Sequence, residues 1–367
     1  SDRDWSSDVC SSDLLLQRAG LSVDNTKLQG NPFAGRRSLD MVRRFALACG
    51  HREANDWSDF QICDFALRRG EFSRSVNVNS SMFDTYVLAN AMDKAVALGF
   101  TAFGQNATYQ RWTRTRQVSD FKTVTGAALD VGNLVKTVEN MPFPELTKAE
   151  FGYTAALSMW GVTAKLSEQT LVNDDLGEFV GQIFRSGQIA NRTIEKEVYA
   201  QLEAATWTNN TTSGTTLGSA ASPVPGGYDV GRKAFINKTG PSGEKLGNVP
   251  RFLIHTPDAG IPAKIALGKI INYAGVAGVI DDGSVQLIEA PYLAGTATTY
   301  YLAADPNLAD TLVLLMLSGI TAPRIVEFDV GAVAGRAWKI YMPFTAKPVI
   351  TQVGSTYYAP GLQQCTA

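Results

Sequence analysis

The chain is poor in the side chains that do chemistry. Among 367 residues there are two histidines, His51 and His255, which weakens any scheme needing imidazole as base, ligand or shuttle. The four cysteines, Cys10, Cys49, Cys63 and Cys365, are scattered with no C-x-x-C pair. They read as free thiols of a reducing compartment, and neither a disulfide framework nor a zinc site is indicated. No apolar run reaches the length that spans a bilayer; the longest candidate, Thr311 to Ile320, is too short. No secretory signal pattern opens the chain. The formal net charge is -2, so bulk electrostatics give no reason to expect nucleic-acid or membrane binding.

Motifs are missing too. There is no Walker loop, no G-x-G-x-x-G after a strand, no G-x-S-x-G and no H-E-x-x-H. Gly275 to Gly283, GVAGVIDDG, lacks the spacing and the lysine of a phosphate cradle. Asp174 with Asp175, and Asp281 with Asp282, are sequence neighbours, so neither pair reads as facing acid and base. The first pair suits a helix start and the second a turn. His255 follows an apolar strand and reads as a satisfied strand-end histidine; His51 follows a helix-ending glycine and reads as exposed. The reading is therefore no catalytic residue, no cofactor-binding residue and no metal ligand.

What is present is architecture. The composition is that of a globular protein, 45% hydrophobic and 19% charged, long enough for two or more domains. The dominant element is a helix from Asn173 to Trp207. Leu176, Val180, Ile183, Phe184, Gly187, Ala190, Ile194, Val198, Leu202 and Ala205 recur at threes and fours along one stripe. Gly181 and Gly187 each cost about 1 kcal/mol of helix propensity relative to alanine, tolerable where another backbone packs closely.

Ser1 to Leu14 contains DWSSDVCSSDL, which resembles a translated sequencing-adapter oligonucleotide. It is set aside, so the natural start of the chain is expected upstream. Ser38 caps a helix that ends at Gly50, and Asp56 to Gly70 reads as a second. Arg36, Arg37, Arg43, Arg44, Arg52, Arg68, Arg69 and Arg74 make this region basic, as a solvated helix face or as an arm against an acidic neighbour or packaged nucleic acid. Ser80 to Phe100 is a helix stopped by Gly99. Tyr109 to Thr125 and Phe151 to Leu166 have strand composition. Between them Leu129 to Glu150 carries turn and breaker residues. A two-stranded excursion of that length is marginal alone, which suggests a partner surface. After Trp207 a polar loop runs to Gly227. Tyr228 to Asn237 and Pro257 to Lys269 read as helices. Arg251 to Thr256, Val285 to Tyr292, Thr298 to Ala304 and Asp310 to Leu317 read as strands of one α/β domain, about 227 to 320. Arg324 to Val330 and Ala337 to Ile350 read as strands that the long helix covers.

SSMFDTYVLANAMDKAVALGF, VSDFKTVTGAAL, LSEQTLVNDDLGEF and IVEFDVGAVAGRAWKIYMPFTAKPVI, in this order, resemble the major capsid protein of tailed phages. The fold implied is Hong Kong-97-like, α+β, in versions fused to a prohead protease. The resemblance implies an N-terminal arm or scaffold remnant over 15–79. It implies P-domain parts over 80–108, 169–226 and 321–367, with the spine helix in the second. It implies an extended E-loop over 109–168 and an A-domain over 227–320. It implies a subunit that assembles with itself, as hexameric and pentameric capsomers, into an icosahedral head around double-stranded DNA. Prohead protease, scaffold, portal and decoration proteins are the further partners it suggests. Neither sequence-specific nucleic-acid binding nor a membrane is expected. The place implied is the virion, assembled in the host cytoplasm. Some relatives join an E-loop lysine to a P-domain asparagine; Lys122, Lys136 and Lys148 are available, but Arg324 to Ile350 holds no asparagine. The competing class is an enzyme or receptor-binding module with a site in 227–320.

Overall fold

The computed structural model describes residues 15–21, 37–48, 51–67, 89–131, 148–167, 176–217, 225–241, 243–267, 284–294, 299–328 and 335–366, with residues 13, 169 and 173. In chain order the helices are α1 (Ser38–Ala48), α2 (Asp59–Leu67), α3 (Ala89–Gly104), α4 (Leu176–Glu203), α5 (Pro225–Ile236) and α6 (Gly260–Ala266). The strands are β1 (Thr113–Val118), β2 (Val124–Val131), β3 (Lys148–Ala155), β4 (Ser158–Ser167), β5 (Thr211–Thr212), β6 (Phe252–His255), β7 (Gln286–Glu289), β8 (Tyr300–Ala303), β9 (Leu312–Leu317), β10 (Arg324–Phe328), β11 (Gly335–Pro348), β12 (Thr351–Val353), β13 (Thr356–Tyr358) and β14 (Leu362–Cys365). The chain divides into two compact units. The first holds Ser1–Asn106, Met159–Arg192 and Ile320–Met342; the second holds Ala107–Ser158, Thr193–Gly319 and Pro343–Ala367.

In the first unit a helical core gathers on the sheet of β4, β11 and β10. Leu39, Val42, Phe45 and Ala46 of α1 keep the spacing of one helix face and are buried. Ser58 caps α2 reciprocally: its backbone N–H donates to Gln61 Oε1 at 2.9 Å, and the Gln61 N–H donates to Ser58 Oγ at 3.4 Å. Leu176, Phe179, Val180 and Ile183 of α4 join this core, as do Trp338 and Ile340 of β11. The Phe179 and Trp338 rings lie 5.4 Å apart, so the long helix does cover the closing strands. Strand β10 pairs with β11 antiparallel, from Arg324 opposite Tyr341 to Phe328 opposite Ala337.

The helix stripe is as read in one respect and different in another. Leu176, Val180, Ile183, Ile194, Val198 and Leu202 are all fully buried. Phe184 and Ala190 are half-buried, and Ala205 lies past the helix end. The segment set aside at the N-terminus also differs at its last described residue. Asp13 is buried and its carboxylate meets Lys94 Nζ at 2.8 Å. Gly99 does not stop α3, which continues to Gly104. Its role is packing: a Cβ there would fall 2.0 Å from the Phe184 carbonyl oxygen of α4. Residues 80–88 of the expected helix lie outside the described residues.

In the second unit the strands order as β5-β14-β8-β6-β7. Leu217, Tyr228, Phe235, Leu253, Ala263, Tyr300 and Leu302 pack between this sheet and its helices. The sequence read Asp310 to Leu317 as a central strand, without a sheet assigned to it. Central it is: β9 lies between β1, to which it is parallel, and the second half of β11, to which it is antiparallel. The sheet of β6 and β8 is completed by β14, opposite β8. A four-residue C-terminal strand gives no periodicity to read, which is why composition missed it.

Candidate assembly elements

The second unit carries a two-stranded hairpin. Strands β2 and β3 pair antiparallel in unbroken register from Val124 opposite Ala155 to Val131 opposite Lys148. Among the described residues they pair only with each other. The sequence read each arm as one strand. Each is two, because the chain leaves one ladder before entering the next: β1 precedes β2, and β3 precedes β4. Strand structure also reaches further into the tip than the breakers suggested, to Val131 and back from Lys148. Residues 132–147 lie outside the described residues, and with them Lys136, Leu134, Val135, Val138, Met141 and Phe143.

The hairpin root has its own small core of Val118, Tyr153, Ala155, Val313, Leu315 and Val349. Tyr153 folds across Gly126, where a Cβ would lie 2.2 Å from the ring. Its hydroxyl accepts from Arg116 Nη1 at 3.2 Å. A second tie lies just before β1. Glu195 of α4 is buried. Its Oε1 accepts from the Thr108 N–H at 2.8 Å and from Thr108 Oγ1 at 2.6 Å. The Thr108 proton is thereby committed, so Tyr199 OH donates to Thr108 Oγ1 at 2.5 Å. Burial pushes the Tyr199 phenol up to about 12.

Strand β4 of the first unit is exposed on both faces over its first six residues. Met159 is 58% exposed and Val162 is 49% exposed. A groove of about 370 Å³ runs between Met159, Thr163, Lys339 and Tyr341. Gly161 makes its floor, since a Cβ there would sit 3.0 Å from the Ile340 carbonyl oxygen. Exposed apolar side chains on a long strand are the mark of a surface made to be covered.

Among the described residues the candidate chemistry of the sequence is not brought together. His255 is buried with Nδ1 2.8 Å from the Thr256 carbonyl oxygen, a satisfied strand-end histidine as read. Desolvation lowers its pKa. His51 is not exposed. Its side chain is 15% accessible and packs against Trp57 and Phe65, with ring centroids at 5.8 and 5.3 Å. His51 turns onto the core here, which local sequence does not reveal. Asp174, Asp175, Asp281, Asp282 and the loop Gly275 to Gly283 lie outside the described residues. Lys122 is exposed, and Lys148 opens β3. Among the described residues no group of histidine, cysteine, aspartate and glutamate is placed to hold a metal ion. No described helix is long and apolar enough to cross a membrane.

One half-buried lysine, its ammonium desolvated, escaped the sequence reading. Lys238, just past α5, donates to Asn210 Oδ1 at 3.2 Å, to the Ala359 carbonyl at 3.1 Å and to the Leu362 carbonyl. Three oxygens match the three N–H donors of an ammonium. Desolvation lowers its pKa to about 7, against a smaller upward pull from Cys365. Burial in turn pushes the Cys365 thiol up to about 12. The arrangement ties three chain segments together.

Residues 152–352 match a protein family described as phage capsid protein. The match covers more than half of the chain. The chain belongs to the phage capsid protein family. The capsid protein is thus a structural subunit, one whose business is binding copies of itself into a shell, and its place is the virion. That explains the scarcity of histidine and the missing motifs better than a hidden active site does. No curated protein matches the chain. Similar solved structures include a virus-like particle from Pyrococcus furiosus, at 10% identity over 76% of this chain and 99% of that chain, TM-score 0.46. An encapsulin complex from Synechococcus elongatus has 10% identity over 70% of this chain and 86% of that chain, TM-score 0.47. A chain from Mycobacterium phage Bobi has 11% identity over 71% of this chain and 90% of that chain, TM-score 0.44.

Proposed function

We propose that the capsid protein builds the icosahedral head of a tailed bacteriophage or prophage, in a Hong Kong-97-like arrangement of hexameric and pentameric capsomers enclosing double-stranded DNA. In this reading 109–168 is the E-loop, 227–320 the A-domain, α4 the spine of a P-domain shared by 80–108, 169–226 and 321–367, and 15–79 an N-terminal arm or scaffold remnant. Prohead protease, scaffold, portal and decoration proteins are its further partners, and the host cytoplasm is where assembly happens. The observation that carries the reading is the hairpin. Its root is packed on its own unit, while the rest of β2 and β3 pairs only with itself among the described residues. Two strands alone are marginal in water. Such an element gains its stability on a neighbour, by about 25 cal/mol per Å² of apolar surface removed from water.

The test is assembly and protection together. Purified chain viewed by electron microscopy should form capsomers or shells. Limited proteolysis should cut the free subunit within 126–150, and assembly should protect those bonds. Shells that are cut there as fast as the free subunit would remove the hairpin as an inter-subunit clasp.

A further inference from the structure

The hairpin root is pinned by two threonine hydroxyls that come from the far end of the chain. Gly152 of β3 donates its N–H to Thr351 Oγ1, and that hydroxyl donates back to the Gly152 carbonyl at 2.7 Å. Both polar groups of Gly152 therefore point away from β2. Four residues on, Ala156 and Leu157 connect β3 to β4 outside any ladder. There the Ser158 N–H donates to Thr345 Oγ1 at 3.0 Å, and Thr345 Oγ1 donates to the Ala156 carbonyl at 2.8 Å. Each hydroxyl accepts one bond and gives one, replacing the strand partner that this stretch of backbone lacks.

Both threonines are themselves held. Thr345 stands in β11 opposite Leu315, and Thr351 opens β12 opposite Tyr358. Val349, between them in sequence, belongs to the apolar root cluster. The cluster and the hydroxyls do different work. Apolar contact is non-directional and tolerates rotation of one part on the other. Hydrogen bonds weaken steeply away from linearity, and two of them at each of two points define an axis.

We propose that Thr345 and Thr351 are positioning residues that set the direction in which the β2–β3 hairpin leaves its unit. Their bearing on shell assembly rests on the reading of the hairpin as a clasp; the positioning itself does not. Thr→Val keeps the shape and removes both bonds, leaving the backbone groups of Gly152, Ala156 and Ser158 without these partners.

The test measures orientation rather than stability. In the full chain with Cys10→Ser and Cys49→Ser, nitroxides are placed at Lys148→Cys in the hairpin and Lys264→Cys on α6, and distance distributions are recorded on the free subunit. The parent should give one narrow distribution. The Thr345→Val, Thr351→Val pair should give one at least twice as wide, and Thr345→Ser, Thr351→Ser should restore the narrow one. A merely structural role would lower the melting temperature and leave the width alone. Should the paired valine variant fail to fold, each single Thr→Val should still broaden the distribution. A valine variant as narrow as the parent overturns the proposal whatever its shells look like. A broadened hairpin that still forms normal shells upholds it and overturns the clasp.

Discussion

The crossing of α3 and α4 is the contact most sensitive to a single methyl group. At Gly187 an added Cβ would lie 2.3 Å from the Val96 carbonyl oxygen and 2.9 Å from the Phe100 nitrogen. At Gly99 it would lie 2.0 Å from the Phe184 carbonyl oxygen. The obstacle in each case is helix backbone, which cannot rotate aside as a side chain can. Gly187→Ala must push the helices apart by about an ångström or more, at the upper end of the 1–3 kcal/mol typical of overpacking. It regains about 1 kcal/mol of helix propensity, so the expected net loss is about 2 kcal/mol. The separation also stretches the bond from Asn191 Nδ2 to the Phe100 carbonyl, now 3.1 Å. Gly181, in the same helix, has nothing within 4 Å of its would-be Cβ, and Gly181→Ala should stabilise by about 1 kcal/mol. Because both glycines serve one crossing, Gly99→Ala with Gly187→Ala should cost less than the sum of the singles. Urea unfolding of the free subunit measures all four. Equal effects of alanine at 181 and 187 would refute the close-crossing argument.

Other consequences are as direct. Ile183→Asp should cost several kcal/mol, since the side chain is fully buried and the charge would have no partner; the half-buried Phe184→Asp should cost less, and a soluble Ile183→Asp subunit that still assembles would sink the packing assignment. Lys238 predicts a pH dependence. Its proton is lost near pH 7 in the folded chain but near 10.5 in the unfolded chain, so the unfolded state binds more protons between these values and stability rises with pH. The rise should show from pH 7 to 9, above the range of His255 and below that in which Cys365 opposes it. Lys238→Met should flatten that slope in melting curves while lowering stability overall, because three oxygens lose their donor.

The sequence showed elements better than it showed pairings. The long helix α4 was legible because its apolar stripe has one period over seven turns, and burial selects for that period alone. Residues carried by no period were not. Glu195 and Asn191 interrupt the buried face of α4 yet are themselves buried, because Thr108 and Phe100, about ninety residues away, supply their partners. Strand β9 reads as a central strand and is one, but an apolar run does not say which sheet it is central to. Gly99 shows the same limit at one position. Glycine near a helix end and glycine at a helix crossing are the same letter, and only the opposing Phe184 carbonyl separates them.

The polar groups that the sequence could not place share one property. Glu195 to Thr108, Lys238 to Leu362, Thr345 to Ala156 and Thr351 to Gly152 each join a side chain to backbone more than eighty residues away. A catalytic constellation would gather such groups around a space open to a ligand. Here each group ends on backbone of its own chain and is consumed in holding it. Among the described residues, apolar strand surface is left exposed along the first half of β4, at Met159 and Val162. A chain that uses its polar groups to fix its own segments, and leaves apolar strand surface uncovered, is arranged to meet further copies of itself.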